Sequence, residues 1–431
     1  MIMLSIALLK TLNRIGIHYS WFMALLAFLA LFFSSAAMGT PGILMVPITQ
    51  GFGWTISDFS MSLSLLFVSV AIAAPFGTAL MHVLGLTRVI IISSALIIVG
   101  FLLTIISYEK WHFLFSIGIC LGLASGVLGV GFAAIVATRW FDARRGLVIG
   151  ILASAWAAGQ LILLPLIAWI SETFGWQYGI LPTSLGCLLS IILFLLFGKN
   201  WPSDLNLQPF GGEKDSKNFL IEQSGNPIKM SFEVLRSSVR HPGFWILSLT
   251  FFICGLTSNG LISQHFVAFC SDINIGIVVA SSYLALMGVF NFLGATSSGW
   301  LADRIDNYKL LAFYYAFRGL SLIYLPYSSL DVFSLTLWAI FFGFDFIATI
   351  PPTARFSAKF FGKINGPIAF SWMFCIHQLG AASAAFSAGE ARDVILSYGP
   401  VFVTAGVMCF IATLSLLLFK ISGKSDLSYT E

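Results

Sequence analysis

The chain has 431 residues, of which 58% are apolar and only 9% charged, and phenylalanine alone occurs 42 times. So few charges cannot coat a soluble globule of this size, which excludes the ordinary cytosolic classes. The net charge of +4 is too small to point to nucleic acid.

Apolar runs of about 18 residues or more recur along the whole sequence, each able to cross a hydrocarbon core of about 30 Å. The bilayer is therefore the solvent. The six cysteines (Cys120, Cys187, Cys254, Cys270, Cys375 and Cys409) fall in or beside these runs. None has a CxxC or metal-ligand spacing, so they read as small buried hydrophobes, with no metal and no cofactor expected. The start of the chain is not built like a cleavable signal, because Lys10 and Arg14 follow the short apolar stretch instead of preceding it.

Twelve spans are predicted in chain order, at 20–49, 56–84, 87–107, 111–138, 145–173, 177–198, 243–271, 277–301, 309–329, 332–354, 364–389 and 395–419. Between the sixth and seventh lies the one long polar stretch, 199–242, with 6 basic and 5 acidic residues. It reads as a solvated linker. Its last part, Lys229 to Arg240, has the apolar spacing of a helix lying on a membrane surface. With the termini and the linker on one side, that side collects 19 of the 22 lysines and arginines. Such a bias places the termini in the cytoplasm.

Two landmarks reveal a repeat. Arg139-Trp140-Phe141-Asp142-Ala143-Arg144-Arg145-Gly146 after span four and Lys359-Phe360-Phe361-Gly362-Lys363-Ile364-Asn365-Gly366 after span ten share a pattern of base, two aromatics and a later glycine, 220 positions apart. Gly77, near the end of span two, and Gly299, near the end of span eight, are 222 apart. The expected fold class is an all-α integral membrane protein, with twelve transmembrane helices in two pseudo-symmetric six-helix bundles. Its parts are residues 1–198, a cytoplasmic linker 199–242, and residues 243–431.

Gly299-Trp300-Leu301-Ala302-Asp303-Arg304 resembles the signature loop of the major facilitator superfamily, and the resemblance covers all twelve spans. The first-half copy, Gly77 to Arg88, keeps the glycine and a terminal base but has no acid. Two stretches look like the bacterial relatives of monocarboxylate transporters and oxalate–formate antiporters. One is Phe52-Gly53-Trp54-Thr55-Ile56-Ser57. The other runs from Arg139-Trp140-Phe141 past Gln160 and Pro165 to Phe174-Gly175-Trp176. The resemblance implies a monomeric secondary transporter of a small-molecule solute in a bacterial inner membrane. It also implies that Asp303 and Arg304 close the cytoplasmic side by pairing with neighbouring helix ends.

Ionisable residues inside spans are costly unless paired or useful. Arg318 on span nine and Asp345 on span ten both lie about 14 Å from the cytoplasmic edge at 1.5 Å per residue, so they are expected to pair. His377, near the middle of span eleven, can titrate near neutral pH, which suits proton coupling by His377 and Asp345. Gln160, Asn259, Asn291 and Gln378 lie at depths where they would ring a central cavity with His377. Gln264 and His265 lie nearer the outer end, where they would line the entrance. The carboxylate-transporting relatives carry an arginine four residues before the signature glycine; here that position is Ala295.

The expected function is secondary active transport of a small polar organic solute, an organic anion or related metabolite, by alternating access with protons as the coupling ion. The alternatives are efflux of drugs, metabolites or metal chelators, against which the absence of a Gly-Pro pair in span five weighs, and a non-transporting receptor. No phosphate-cradling loop, HExxH or nucleophile–base pair marks an enzyme.

Overall fold

A computed structural model describes residues 2–212 and 226–421. Lys214 and Lys217 of the linker and Lys424 of the tail lie outside the described residues. Among the described residues there are long helices and no β-strand. In hydrocarbon the backbone must satisfy its own hydrogen bonds, and the helix does so within one segment.

Span one is Tyr19–Phe52, span two Ile56–Val83, span three Leu86–Ile105, span five Arg145–Phe174 and span eight Ile277–Ala302. Span six covers Trp176–Phe197, span seven Pro242–Asp272, span eleven Asn365–Ile395 and span twelve Gly399–Ile421. Eleven helices among the described residues are long and apolar enough to cross a membrane. The predicted ninth span also forms a helix, Asn307–Tyr324. Its tyrosines, Lys309 and Arg318 make it too polar to stand out by composition.

Spans four and ten are broken helices. Span four stops at Val127 and restarts at Val130, while span ten stops at Asp345 and restarts at Ile350. The two stops are 218 positions apart and the two restarts 220. Left-handed backbone recurs with the same period. Gly53 and Asn274 follow spans one and seven, Arg144 and Gly362 precede spans five and eleven, and Gly175 and Leu396 follow spans five and eleven. Their separations are 221, 218 and 221 positions. Leu396 holds φ +59°, a conformation that costs a leucine what glycine adopts freely. Two halves of different sequence thus turn at matching places. Span two packs along span eleven, span five along span eight, and span one against span seven.

The described parts of the linker, 199–212 and 226–242, are less solvated than its charge implies. Phe210 donates its N–H to the Trp140 carbonyl (2.9 Å) and accepts from Asp142, so the linker is pinned to the turn after span four. Its later part forms the helix Pro227–Ser238, which packs on spans two and eleven. There Phe232 contacts Phe76 of span two and Trp372 of span eleven, and the Trp372 indole donates to the Ser231 carbonyl at 3.0 Å. This helix bridges both halves at the face that carries the termini. Phe232→Ala is expected to raise the rate of tryptic cleavage at Lys229 and Arg236 severalfold, read by limited proteolysis of the purified protein.

Candidate functional site

Where spans one, five, seven, eight and ten meet, a small cavity is lined by Gly39, Gln160, Leu164, Ser263, Leu284, Met287, Gly288, Asn291 and Phe346. Its volume is about 10 Å³, room for about one water. Phe346 reaches it from the break in span ten, directly after Asp345. Asn291 is buried and its side-chain oxygen has no hydrogen-bond partner among the described residues. Close by, Gln264 is buried, donates Nε2 to the Met38 carbonyl of span one at 3.4 Å, and leaves its own oxygen unpartnered. Buried amides without partners are costly and are the groups a bound solute would satisfy.

A second polar cluster lies between spans seven, nine, ten and eleven. Asn259 donates to Gln378 Oε1 at 3.3 Å, and that oxygen also faces His377 Nδ1 at 3.0 Å. An amide oxygen only accepts, so the His377 proton belongs on Nδ1. The imidazole stacks on Phe374, with centroids 5.4 Å apart, and lies 4.4 Å from the Phe251 ring. Cys254 is within hydrogen-bonding reach of His377 and contacts Thr349 Oγ1 at 3.2 Å.

Arg318 stands behind Cys254. Its Nε donates to Asp345 Oδ2 at 2.5 Å and one terminal nitrogen to Cys254 Sγ at 3.0 Å and Thr257 Oγ1 at 3.3 Å. The other donates to the carbonyls of Asp345 at 2.6 Å and Phe346 at 3.1 Å. Five N–H groups meet five acceptors, and the last two are carbonyls at the break in span ten, where Asp345 also accepts from the Ala348 N–H at 3.2 Å. Arg318 and Asp345 are both buried. Asp345 Oδ1 has no partner among the described residues.

The predicted site residues therefore fall into two groups. Gln160 and Asn291 share the cavity. Asn259, His377 and Gln378 form a separate cluster, which reaches Asp345 through Cys254 and Arg318 instead of by direct contact. Of these cysteines Cys254 is a polar bridge, not the plain hydrophobe its sequence setting implied. Nothing in its neighbourhood along the chain shows that an arginine 64 positions away will face it. The break in span ten did have a signal: Pro351 and Pro352 stand in the first turn of the restarted helix, a position proline favours. His265 is buried too, bonded to Tyr398 Oη at 3.0 Å and the Ala385 carbonyl at 2.8 Å, so it ties spans seven and eleven together instead of facing an entrance.

At the face with the termini, Asp303 forms an ion pair with Arg355 of span ten. Arg304 folds back on its own helix, donating to the Trp300 carbonyl at 3.1 Å with its guanidinium 4.1 Å above the Trp300 ring. Among the described residues it reaches no neighbouring helix end. Asp306 caps span nine and pairs with Lys420 of span twelve. Partial burial would raise its carboxyl pKa, but the Lys420 hydrogen bond and two backbone N–H groups hold it below the usual range. A lowered acid stabilises the fold above its unfolded pKa of about 4 and loses that contribution as pH falls through the lower folded value.

The model of the Major Facilitator Superfamily matches residues 27–385. The uncharacterized transporter YcxA of Bacillus subtilis is 25% identical, with 92% of this chain and 94% of that protein aligned. A gallate transporter of Pseudomonas putida is 25% identical over 94% of this chain and 93% of its own. Monocarboxylate transporter 13 of Rattus norvegicus is 22% identical over 90% and 86%. Among solved structures, the xylose transporter XylE from E. coli, in a partially occluded inward-open conformation, superposes with a TM-score of 0.68. That match covers 93% of this chain and 99% of XylE at 14% identity, so it speaks for the fold alone. The chain belongs to the major facilitator superfamily.

Proposed function

We propose that the protein moves a small organic acid, or a hydroxylated relative of one, together with a proton by alternating access. Two buried amides carry this reading: Asn291 in the cavity and Gln264 beside it present oxygens with no partner among the described residues, where the two halves meet. The relatives named for gallate and for monocarboxylates favour an acid. Position 295 supplies no arginine to hold a carboxylate, so the site lacks a fixed cation there. An acid taken up with its proton is neutral overall, and neutral amide donors and acceptors suit such a cargo.

In this reading His377 and Asp345 exchange the proton through the Cys254–Arg318 link. Residues 1–198 and 243–431 are the two moving bundles and 199–242 the linker. The termini lie in the cytoplasm of a bacterium, and Asp303 with Arg355 helps close that side.

The test is uptake of gallate and lactate into vesicles with an imposed pH gradient. Uptake of at least one should rise with the gradient and collapse when a protonophore dissipates it. Asn291→Ala is expected to raise KM about tenfold, as loss of a buried hydrogen bond to the solute would. Uptake indifferent to the gradient removes the coupling, and ligand binding without flux removes transport.

A further inference from the structure

At the face opposite the termini, two carboxylates cross between the halves and cap helices of the other half. Glu172, at the end of span five, accepts from the backbone N–H groups of Ile277 at 2.9 Å and Val278 at 3.4 Å, the first turn of span eight. Asp393, at the end of span eleven, accepts from the N–H of Ser57 at 2.6 Å, in the first turn of span two. Glu172 and Asp393 are 221 positions apart, and so are Ser57 and Val278. That is the period of the repeat read from the backbone turns. The two caps are therefore images of each other under the pseudo-symmetry, with acid and helix start exchanged between the halves.

From this geometry we infer that Glu172 and Asp393 are the paired latch of the outer gate, a role that rests on the alternating-access reading. A helix start carries free N–H groups and a partial positive charge, so a carboxylate there is favourable without being strong. Span eight begins after Gly276, which has no side chain to cap it, so Glu172 supplies what the local sequence lacks. Span two has its own capping box of Thr55 and Asp58. There Asp393 meets the second free N–H, and Glu390 accepts from the Ser57 hydroxyl. Gly389 allows this approach, since a Cβ on it would come within 2.7 Å of Ser60 Cβ. Arg392 holds Asp393 in place at 3.3 Å while gripping Asp272 at 2.7 Å. Because the caps sit symmetrically on either side of the interface, a rocking of the halves that opens this face breaks both at once. Their contributions to closure therefore add.

The experiment uses full-length protein in right-side-out and inside-out vesicles, with Ser263→Cys as a cavity reporter. A membrane-impermeant maleimide reads its accessibility from either side, against the parent chain with its native cysteines. Glu172→Gln and Asp393→Asn are each expected to raise labelling from the outside about threefold to tenfold. The double variant should show the product of the two factors. Labelling from the inside should fall correspondingly, which a merely loosened protein would not show. Unchanged outside labelling in the double variant, or a rise from both sides, overturns the latch. Gallate and lactate flux by the parent in the same vesicles reports the transport reading separately. A parent without flux whose double variant still shifts sidedness keeps the gate and loses the transport.

Discussion

Replacing Arg318 by methionine is expected to lower the stability of the purified protein by about 3–5 kcal/mol, the usual consequence of removing one partner of a buried ion pair. The loss has two parts. Asp345 stays buried with no counter-charge, and the carbonyls of Asp345 and Phe346 lose the donors that close the break in span ten. Arg318→Lys should recover little, because an ammonium has three N–H groups and no planar fork to span Asp345, Cys254 and the two carbonyls. Removing both charges, with Arg318→Met and Asp345→Leu, should restore much of the stability but none of the gradient-driven uptake. Thermal unfolding in detergent reads the first effect and vesicle flux the second. An Arg318→Met variant as stable as the parent would mean that the guanidinium does not hold spans seven, nine and ten together.

The second large effect is expected at Gly255. Spans seven and eleven approach so closely that a Cβ there would lie 2.7 Å from the His377 carbonyl carbon and 3.0 Å from its Nδ1. The same pair of helices meets again at Gly260, where a Cβ would be 2.9 Å from the Ala381 carbonyl carbon, and at Gly380, 2.8 Å from that of Phe252. Small residues on facing helices are how membrane helices gain contact when the hydrophobic effect no longer drives them together. Gly255→Val is expected to cost about 1–3 kcal/mol through overpacking. It should also pull His377 away from Cys254, flattening the pH dependence of uptake. A valine variant that unfolds normally and keeps its pH profile would separate His377 from the coupling pathway.

The two predictions differ in how far the sequence announced them. An arginine and an aspartate at equal depth in adjacent apolar runs are legible, because charge in a bilayer has few ways to survive. Their partners Cys254 and Thr257 are not, since a thiol or hydroxyl within an apolar run is equally at home bonded to its own helix. Gly255 is one of 39 glycines, and nothing local distinguishes it. The signature acid behaved similarly: its position was legible, while its partner, Arg355, depended on how span ten resumes after its break.

What the sequence by itself determined is the class of architecture. Long apolar runs, the one-sided placement of lysine and arginine and the repeated turns are properties of single segments or of spacing, so they survive without knowledge of packing. The tertiary structure decided which polar groups meet. It put Gln160 and Asn291 in one cavity and His377 in a separate cluster, made Cys254 a bridge, and set Glu172 and Asp393 on helix starts of the opposite half. Each of those pairings depends on the rotation of one helix against another. That rotation is set by glycine contacts and helix breaks far apart in the chain, and no periodicity within a single span records it.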